Sequence, residues 1–243
     1  MRLGRIHDTK GAMQETRPAA PPTSPAPAEP RTTQRRTQAN RSRDARERLL
    51  AATIEVLMRS GYSGLTTKEV ARCAGMSNGA LMHHYATKAE LVVAATAEVY
   101  EESIRRGQRE AHSPQAIERP IEGFIKDCWS VYFDWPFIAA IEVIMVARTD
   151  ADLMSKILPV MERYRSSTNA LWLDVFQRAG FTREQALVAL NLSLNLVRGM
   201  ALNNLWQHDE AHYEQYIQDW VRIVYQQLPR RAVRRGKPSG RTA

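Results

Sequence analysis

Residues Thr66 to Lys88 read TTKEVARCAGMSNGALMHHYATK, and two short helices joined by a tight turn are the simplest account of them. Thr66 followed three residues later by Glu69 forms a capping box, in which each side chain satisfies a backbone donor left free at a helix start. Val70, Ala71 and Ala74 give that helix a small apolar face, and Gly75 supplies the left-handed residue that ends it. Ser77 or Asn78 is placed to cap a second helix. On it Leu81 and Tyr85 share one face at i, i+4 spacing, while Asn78, Ala80, His83 and His84 point largely outward. An ordinary helical hairpin has caps and Gly turns too, but a polar, exposed second helix after a short Gly-containing turn is also the pattern of a helix-turn-helix that reads the DNA major groove.

The longer run AGMSNGALMHHYATKAEL resembles the DNA-binding signature of the TetR (tetracycline-repressor-like) family. The matches are Ala74, Gly75, Ser77, Gly79, Leu81, His84, Lys88 and Leu91, with Met76 for the usual Val and Tyr85 for the usual Phe. Upstream, LLAATIEVLMRSGYSGLTTKEVA, from Leu49 to Ala71, resembles the first helix, Gly-Tyr turn and second helix of that family. The resemblance implies that Thr66, Thr67 and Lys88 contact phosphates, that Ser77, Asn78, Ala80 and His83 face base edges or phosphates, and that His84 faces the backbone. Lys68, Gly79 and Met82 complete the candidate DNA-contacting set. Met82 departs from the pattern, because the family usually places there a Tyr that bonds a phosphate, and a thioether cannot make that bond.

Working outward, Asp44 to Ser60 is expected as the first helix, with Leu50, Ile54 and Leu57 as its packing stripe, and Tyr62 and Leu65 as plugs of a small three-helix core. Lys88 opens a longer helix to about Ala111, with Leu91, Ala95 and Val99 inward; the resemblance makes it the mechanical link between two domains. Further helices are expected at about 115–134, 136–148, 150–178 with a break or kink at Pro159, 182–207 and 210–228. The Trp135–Pro136 step marks a boundary, and Thr182 with Gln185 is a second capping box. No segment alternates as a strand would. The expected fold is therefore all-α: a helix-turn-helix head at 44–90 joined to a larger antiparallel helical body at 91–228 for effector binding and dimerisation, between disordered tails.

Six of the twelve prolines fall between Pro18 and Pro30, so residues 1–43 are expected to be a disordered, Pro-rich basic tail, either a solvated extension or an arm that follows DNA with Arg31, Arg35, Arg36, Arg41 and Arg43. Residues 229–243 form a second basic tail. The formal charge of +8 is concentrated in these tails: residues 44–112 carry nine basic and nine acidic side chains, and residues 113–228 carry ten and fourteen. A high isoelectric point is thus weak support for nucleic-acid binding by the globular part, and the motif must carry that claim.

Chemistry is not what the remaining residues suggest. His83 and His84 are adjacent and point about 100° apart on a helix, so they cannot share a metal as an i, i+4 pair would. There is no metalloprotease pair, phosphate loop or nucleophile elbow, and no catalytic residue, metal or cofactor is expected. Cys73 and Cys128 are expected as reduced core residues. Apolar runs fall short of 18 residues, which leads to the expectation of a cytoplasmic, nucleoid-associated protein without a membrane span. A binding cavity is the more plausible feature: Trp129, Phe133, Trp172 and Phe176 are candidate lining residues, and Asn191, Asn195 and Arg198 form a polar line at i, i+4, i+7. The helix at 182–207 is apolar around much of its circumference, with Leu187, Leu190, Leu194, Val197, Ala201 and Leu205 in one stripe and Leu192, Leu196 and Met200 beside it. Two of its sides must be covered, and in TetR-like proteins the last two long helices make a four-helix dimer interface. The expected function is a ligand-responsive regulator, a repressor by family default, that binds a palindromic operator as a homodimer through helices 182–207 and 210–228 and is released by a small-molecule effector. An architectural DNA-binding protein without ligand and a helical enzyme with a vestigial head are the alternatives.

Overall fold

Thr66, Ser77, Thr87, Asp150 and Thr182 each accept a hydrogen bond from the backbone N–H three residues on, at 3.0–3.2 Å, so the caps expected at Thr66, Ser77 and Thr182 form, and Thr87 and Asp150 add two more. The computed structural model describes residues 38–133 and 137–230, and these contain helices and no strand. In chain order they are α1 (Gln38–Gly64), α2 (Thr67–Cys73), α3 (Asn78–His84), α4 (Lys88–Ala111), α5 (Pro114–Glu118), α6 (Pro120–Tyr132), α7 (Phe137–Ala147), α8 (Ala151–Arg178), α9 (Arg183–Asn203) and α10 (Glu210–Gln227). The all-α expectation holds. The expectations for residues 1–37, 231–243 and the Trp135–Pro136 step lie outside the described residues.

Several local expectations change. α1 begins at Gln38 rather than Asp44, so residues 38–43 of the expected tail are helical. Its buried stripe is Leu49, Ala52, Thr53, Val56 and Leu57, while Leu50 and Ile54 lie at its half-buried edge. Thr53 is tolerated in that stripe because its hydroxyl donates to Leu49 O at 2.6 Å. The expected helix at 115–134 is divided at Pro120, and α5 and α6 each begin with proline at the first position, where the missing N–H costs nothing. Pro159, by contrast, does not end α8, which runs through it. The proline and Ser155, whose carbonyl it leaves without its helical donor, are both exposed, so water can take that bond.

Two apolar cores result. One gathers the first three helices with Leu91 and Val92 of α4, but also Ala139, Val143 and Ala147 of α7 and Leu153 and Ile157 of α8. The other joins α5 and α6 with the second half of α8, α9 and α10, centred on Phe124, Trp172 and Phe176. Packing therefore does not break at residue 90, because α7 and the start of α8 complete the core of the head.

α9 is long and apolar enough, at 21 residues and mean hydropathy 1.2, to meet the length and composition of a membrane span, contrary to the sequence reading. Its packing gives another account. Ala186, Ala189, Leu190, Ser193, Val197, Met200 and Ala201 are buried against the bundle, while Val188, Leu192 and Leu202 line the opposite, exposed side. The helix ends at Asn203, four residues short of the expected end, leaving Leu205 and Trp206 in an exposed turn.

Candidate nucleic-acid interface and internal cavity

The turn between α2 and α3 is built from backbone bonds. Gly75 takes φ 64°, Gly75 N–H donates to Arg72 O at 3.1 Å and Met76 N–H to Ala71 O at 2.9 Å, closing α2 before Ser77 opens α3. Leu81 is fully buried against Val70, Ala71 and Ala74, which locks α3 on α2. The rest of α3 then faces away from the core: Gly79, Met82 and His83 are exposed, and Asn78, Ala80 and His84 are half-buried. Of the expected capping box only one half forms, because the Glu69 carboxylate turns to Arg59 at 2.7 Å and Arg72 at 2.8 Å instead of the Thr66 N–H. The Arg72 hydrogen bond in particular lowers its pKa to about 2. Cys73 is consequently not a core residue. Its sulfur sits half-buried beside this carboxylate and the two guanidinium groups. Cys128 is buried as expected, with its thiol pKa pushed up by burial.

Around α3, Thr66, Lys68 and Ser77 are exposed and Thr67 is half-buried. Lys88 is differently placed from a free phosphate ligand: it is half-buried, its ammonium lies 4.3 Å from the centre of the Tyr62 ring, and burial lowers its pKa. The structure adds two residues to the same face. Arg48 donates from Nη1 to Ala74 O at 3.3 Å, tying α1 to the end of α2, and Arg46 lies close enough to His84 for its charge, after burial, to lower the imidazole pKa. Their only signal in the sequence is the basic cluster Arg41, Arg43, Arg46 and Arg48, which a boundary at residue 44 divides.

The head is joined to α7 by a specific contact. Gly61 interrupts α1 with φ 65° and ψ 179°, a conformation open essentially to glycine, and this brings the Tyr62 N–H to Glu142 Oε1 at 2.7 Å. A Cβ on Gly61 would stand 2.6 Å from the same oxygen. Gly61→Ala is therefore expected to lower unfolding stability by about 2 kcal/mol, combining backbone strain with loss of that bond. Glu142→Gln, which keeps an acceptor, should cost less. Urea unfolding measures both, and equal effects would show that the glycine conformation is not required.

An internal cavity of about 270 Å³ opens between α6, α8 and α9, with Phe124, Cys128, Met161 and Leu194 among its apolar walls and Asp127, Tyr132, Tyr164 and Arg198 as polar groups. Arg198 donates to the Tyr132 hydroxyl at 2.9 Å, and Asp127 accepts the Trp172 Nε1–H at 2.7 Å. Burial pushes the Asp127 carboxyl up to about 6, partly offset by the Trp172 bond. The expected lining set is corrected by these positions. Trp172 and Phe176 are core residues with no exposure, and Trp129 and Phe133 stack on each other at 3.8 Å outside the cavity wall. Asn191 and Asn195 are exposed on the outer side of α9, where Asn191 bonds Leu187 O at 2.7 Å; only Arg198 of the polar line reaches the cavity. Asp127 thus lines the cavity, whereas Glu142 serves the head junction. Among the described residues no group of three or more His, Cys, Asp or Glu is arranged to hold a metal ion.

Residues 49–95 match the family of bacterial regulatory proteins of tetR type. The chain is 33% identical over 180 residues to the HTH-type transcriptional regulator CymR of Pseudomonas putida, covering 74% of this chain and 89% of that protein. Among solved structures, a transcriptional regulator from Saccharomonospora viridis in complex with choline superposes with a TM-score of 0.58 at 18% identity, over 74% of this chain and 96% of that one. The regulator FadR of Bacillus subtilis in complex with stearoyl-CoA gives 0.54 at 14% identity, over 73% and 96%. At these identities the structural likeness speaks for the fold alone.

Proposed function

Because this chain belongs to the TetR family of DNA-binding transcriptional regulators, we propose that it is a ligand-responsive repressor that works as a homodimer and is released from a roughly palindromic operator by a small molecule held in the α6–α8–α9 cavity. The observation that carries this reading is the connection of the two sites through single helices. α8 contributes its first half to the core of the head and its second half to the core around the cavity, and α4 runs from the end of the recognition turn to Gly107, packed against Asp127. A ligand that favours one packing of α4 and α8 would shift the population between head spacings that fit DNA and those that do not. Two neighbours of the fold, solved with choline and with stearoyl-CoA, make an interior ligand a reasonable expectation here. In this reading Ser77, Asn78, Ala80 and His83 meet base edges or phosphates, and Thr66, Thr67, Lys68 and His84 meet the backbone. Gly79 allows close approach, Met82 packs at the groove without the usual phosphate bond, and Arg46 adds a phosphate contact. Lys88 would have to leave Tyr62 to join them.

The partner surface is the outer side of α9 and α10. Val188 and Leu192, four residues apart, and Leu202, with Tyr216 and Ile223, seven apart on the last helix, are all exposed, as an unpaired four-helix interface requires. Leu192, half-exposed at 50%, is at its centre. Leu192→Glu is expected to turn a dimer into a monomer at about 10 µM and weaken operator binding by roughly tenfold or more, since each half-site alone gains little. Sedimentation velocity and footprinting on duplexes selected from random DNA measure both. A wild-type monomer at that concentration would sink the dimer reading, and a footprint without two-fold symmetry would sink the operator reading.

A further inference from the structure

The cavity is chemically lopsided. At one end the half-buried Arg198 guanidinium has five N–H donors, and it donates to the Tyr132 hydroxyl while lying 5.3 Å from that ring's centre. Tyr164, which bonds the Tyr132 hydroxyl and lies tilted against Tyr100 at 4.6 Å, adds a second phenol beside the cation. Among the described residues no carboxylate lies within ion-pair distance of Arg198. Asp127, at the other end, has its Oδ2 engaged: it accepts from Trp172 Nε1 at 2.7 Å and lies 2.9 Å from where a Cβ on Gly107 would stand. Glu162 and Arg165, both exposed, carry opposite charges and cancel at the rim. Between the two ends the walls are Phe124, Cys128, Met161, Leu158 and Leu194, with the half-buried Thr168 and Asn169 as neutral polar groups among them.

A cation held away from water in such a pocket is costly unless an anion joins it, and a guanidinium offers paired donors that match a carboxylate's two oxygens. We propose that the ligand of this cavity is a compact monocarboxylic acid, its carboxylate bound by Arg198 and the surrounding tyrosines and its apolar body packed against Phe124, Met161 and Leu194. At close packing, with about 20 Å³ per non-hydrogen atom, a cavity of this size takes roughly ten to thirteen such atoms. Coenzyme A thioesters and long-chain lipids are too large to be enclosed. This inference rests on the reading of the cavity as the effector site, and the experiment separates the two.

The 243-residue protein is titrated calorimetrically with 2-naphthoate, its neutral counterpart 2-naphthamide, and decanoate, using wild type, Arg198→Met and Arg198→Lys. The wild type is expected to bind a carboxylate about 30-fold or more tightly than the amide. Arg198→Met should abolish that preference while leaving amide binding within about threefold, and Arg198→Lys should restore part of it. If Arg198→Met does not fold, the lysine variant and the acid–amide comparison still decide. Equal binding of acid and amide, a preference that survives loss of Arg198, or no binding of either acid at millimolar concentration overturns the proposal. A carboxylate that binds through Arg198 yet leaves the operator complex intact upholds the ligand class and overturns the effector reading instead.

Discussion

Trp172→Ala is expected to lower unfolding stability by about 3–5 kcal/mol, the largest effect of any single substitution considered for this protein. Trp172 has no exposed surface, meets Phe124 edge-on at 5.4 Å, and has its outer ring carbons 3.2 Å from where a Cβ on Gly123 would stand. Removing it empties the junction of α6 and α8 and takes from Asp127 its hydrogen-bond donor, which leaves a buried carboxylate to be desolvated alone. Trp172→Phe keeps much of the volume but not the donor, so it should lose roughly half as much. Urea unfolding at neutral pH measures both, and a loss below about 2 kcal/mol for the alanine variant would mean that the core collapses to fill the space.

The second large effect depends on pH. The Asp127 carboxyl titrates near 6 in the folded protein because of its burial, against about 3.9 for an unfolded chain. The folded state therefore holds the proton more tightly, so the stabilisation from protonated Asp127 is complete below pH 4 and is lost as pH rises through 6. Two pH units correspond to about 3 kcal/mol. Asp127→Asn cannot ionise and still offers an oxygen to the Trp172 Nε1–H. Relative to wild type it should gain on the order of 3 kcal/mol between pH 4 and pH 8, whatever its offset at pH 4. Other carboxylates titrate in both proteins and cancel in the difference. A wild-type minus variant difference that stays constant over that range would show that Asp127 is not charged at a cost in the folded protein.

Some of this molecule was legible because its causes are local. Caps at Thr66, Ser77 and Thr182, the left-handed Gly75 and the burial of Leu81 depend on residues three or four apart, and the helix-turn-helix follows from them. The exact stripe of α1 was not legible, because Thr53 looks polar in a sequence and only its bond to Leu49 O makes it a core residue. The polar line on α9 failed for a related reason. Asn191, Asn195 and Arg198 lie within one helical face, yet the short amides stop at the outer surface while the long arginine side chain reaches the Tyr132 hydroxyl.

By itself the sequence determined the all-α class, the recognition turn and the family of DNA-binding regulators, since each rests on patterns within a few residues of the chain. Tertiary structure alone decided which groups meet across long separations. It set Gly61 against Glu142, Asp127 against Trp172 and Arg198 against Tyr132, and it placed α7 in the core of the head. Those pairings join residues 45 to 81 positions apart, and no local propensity encodes them; they follow from how whole helices bury their apolar faces.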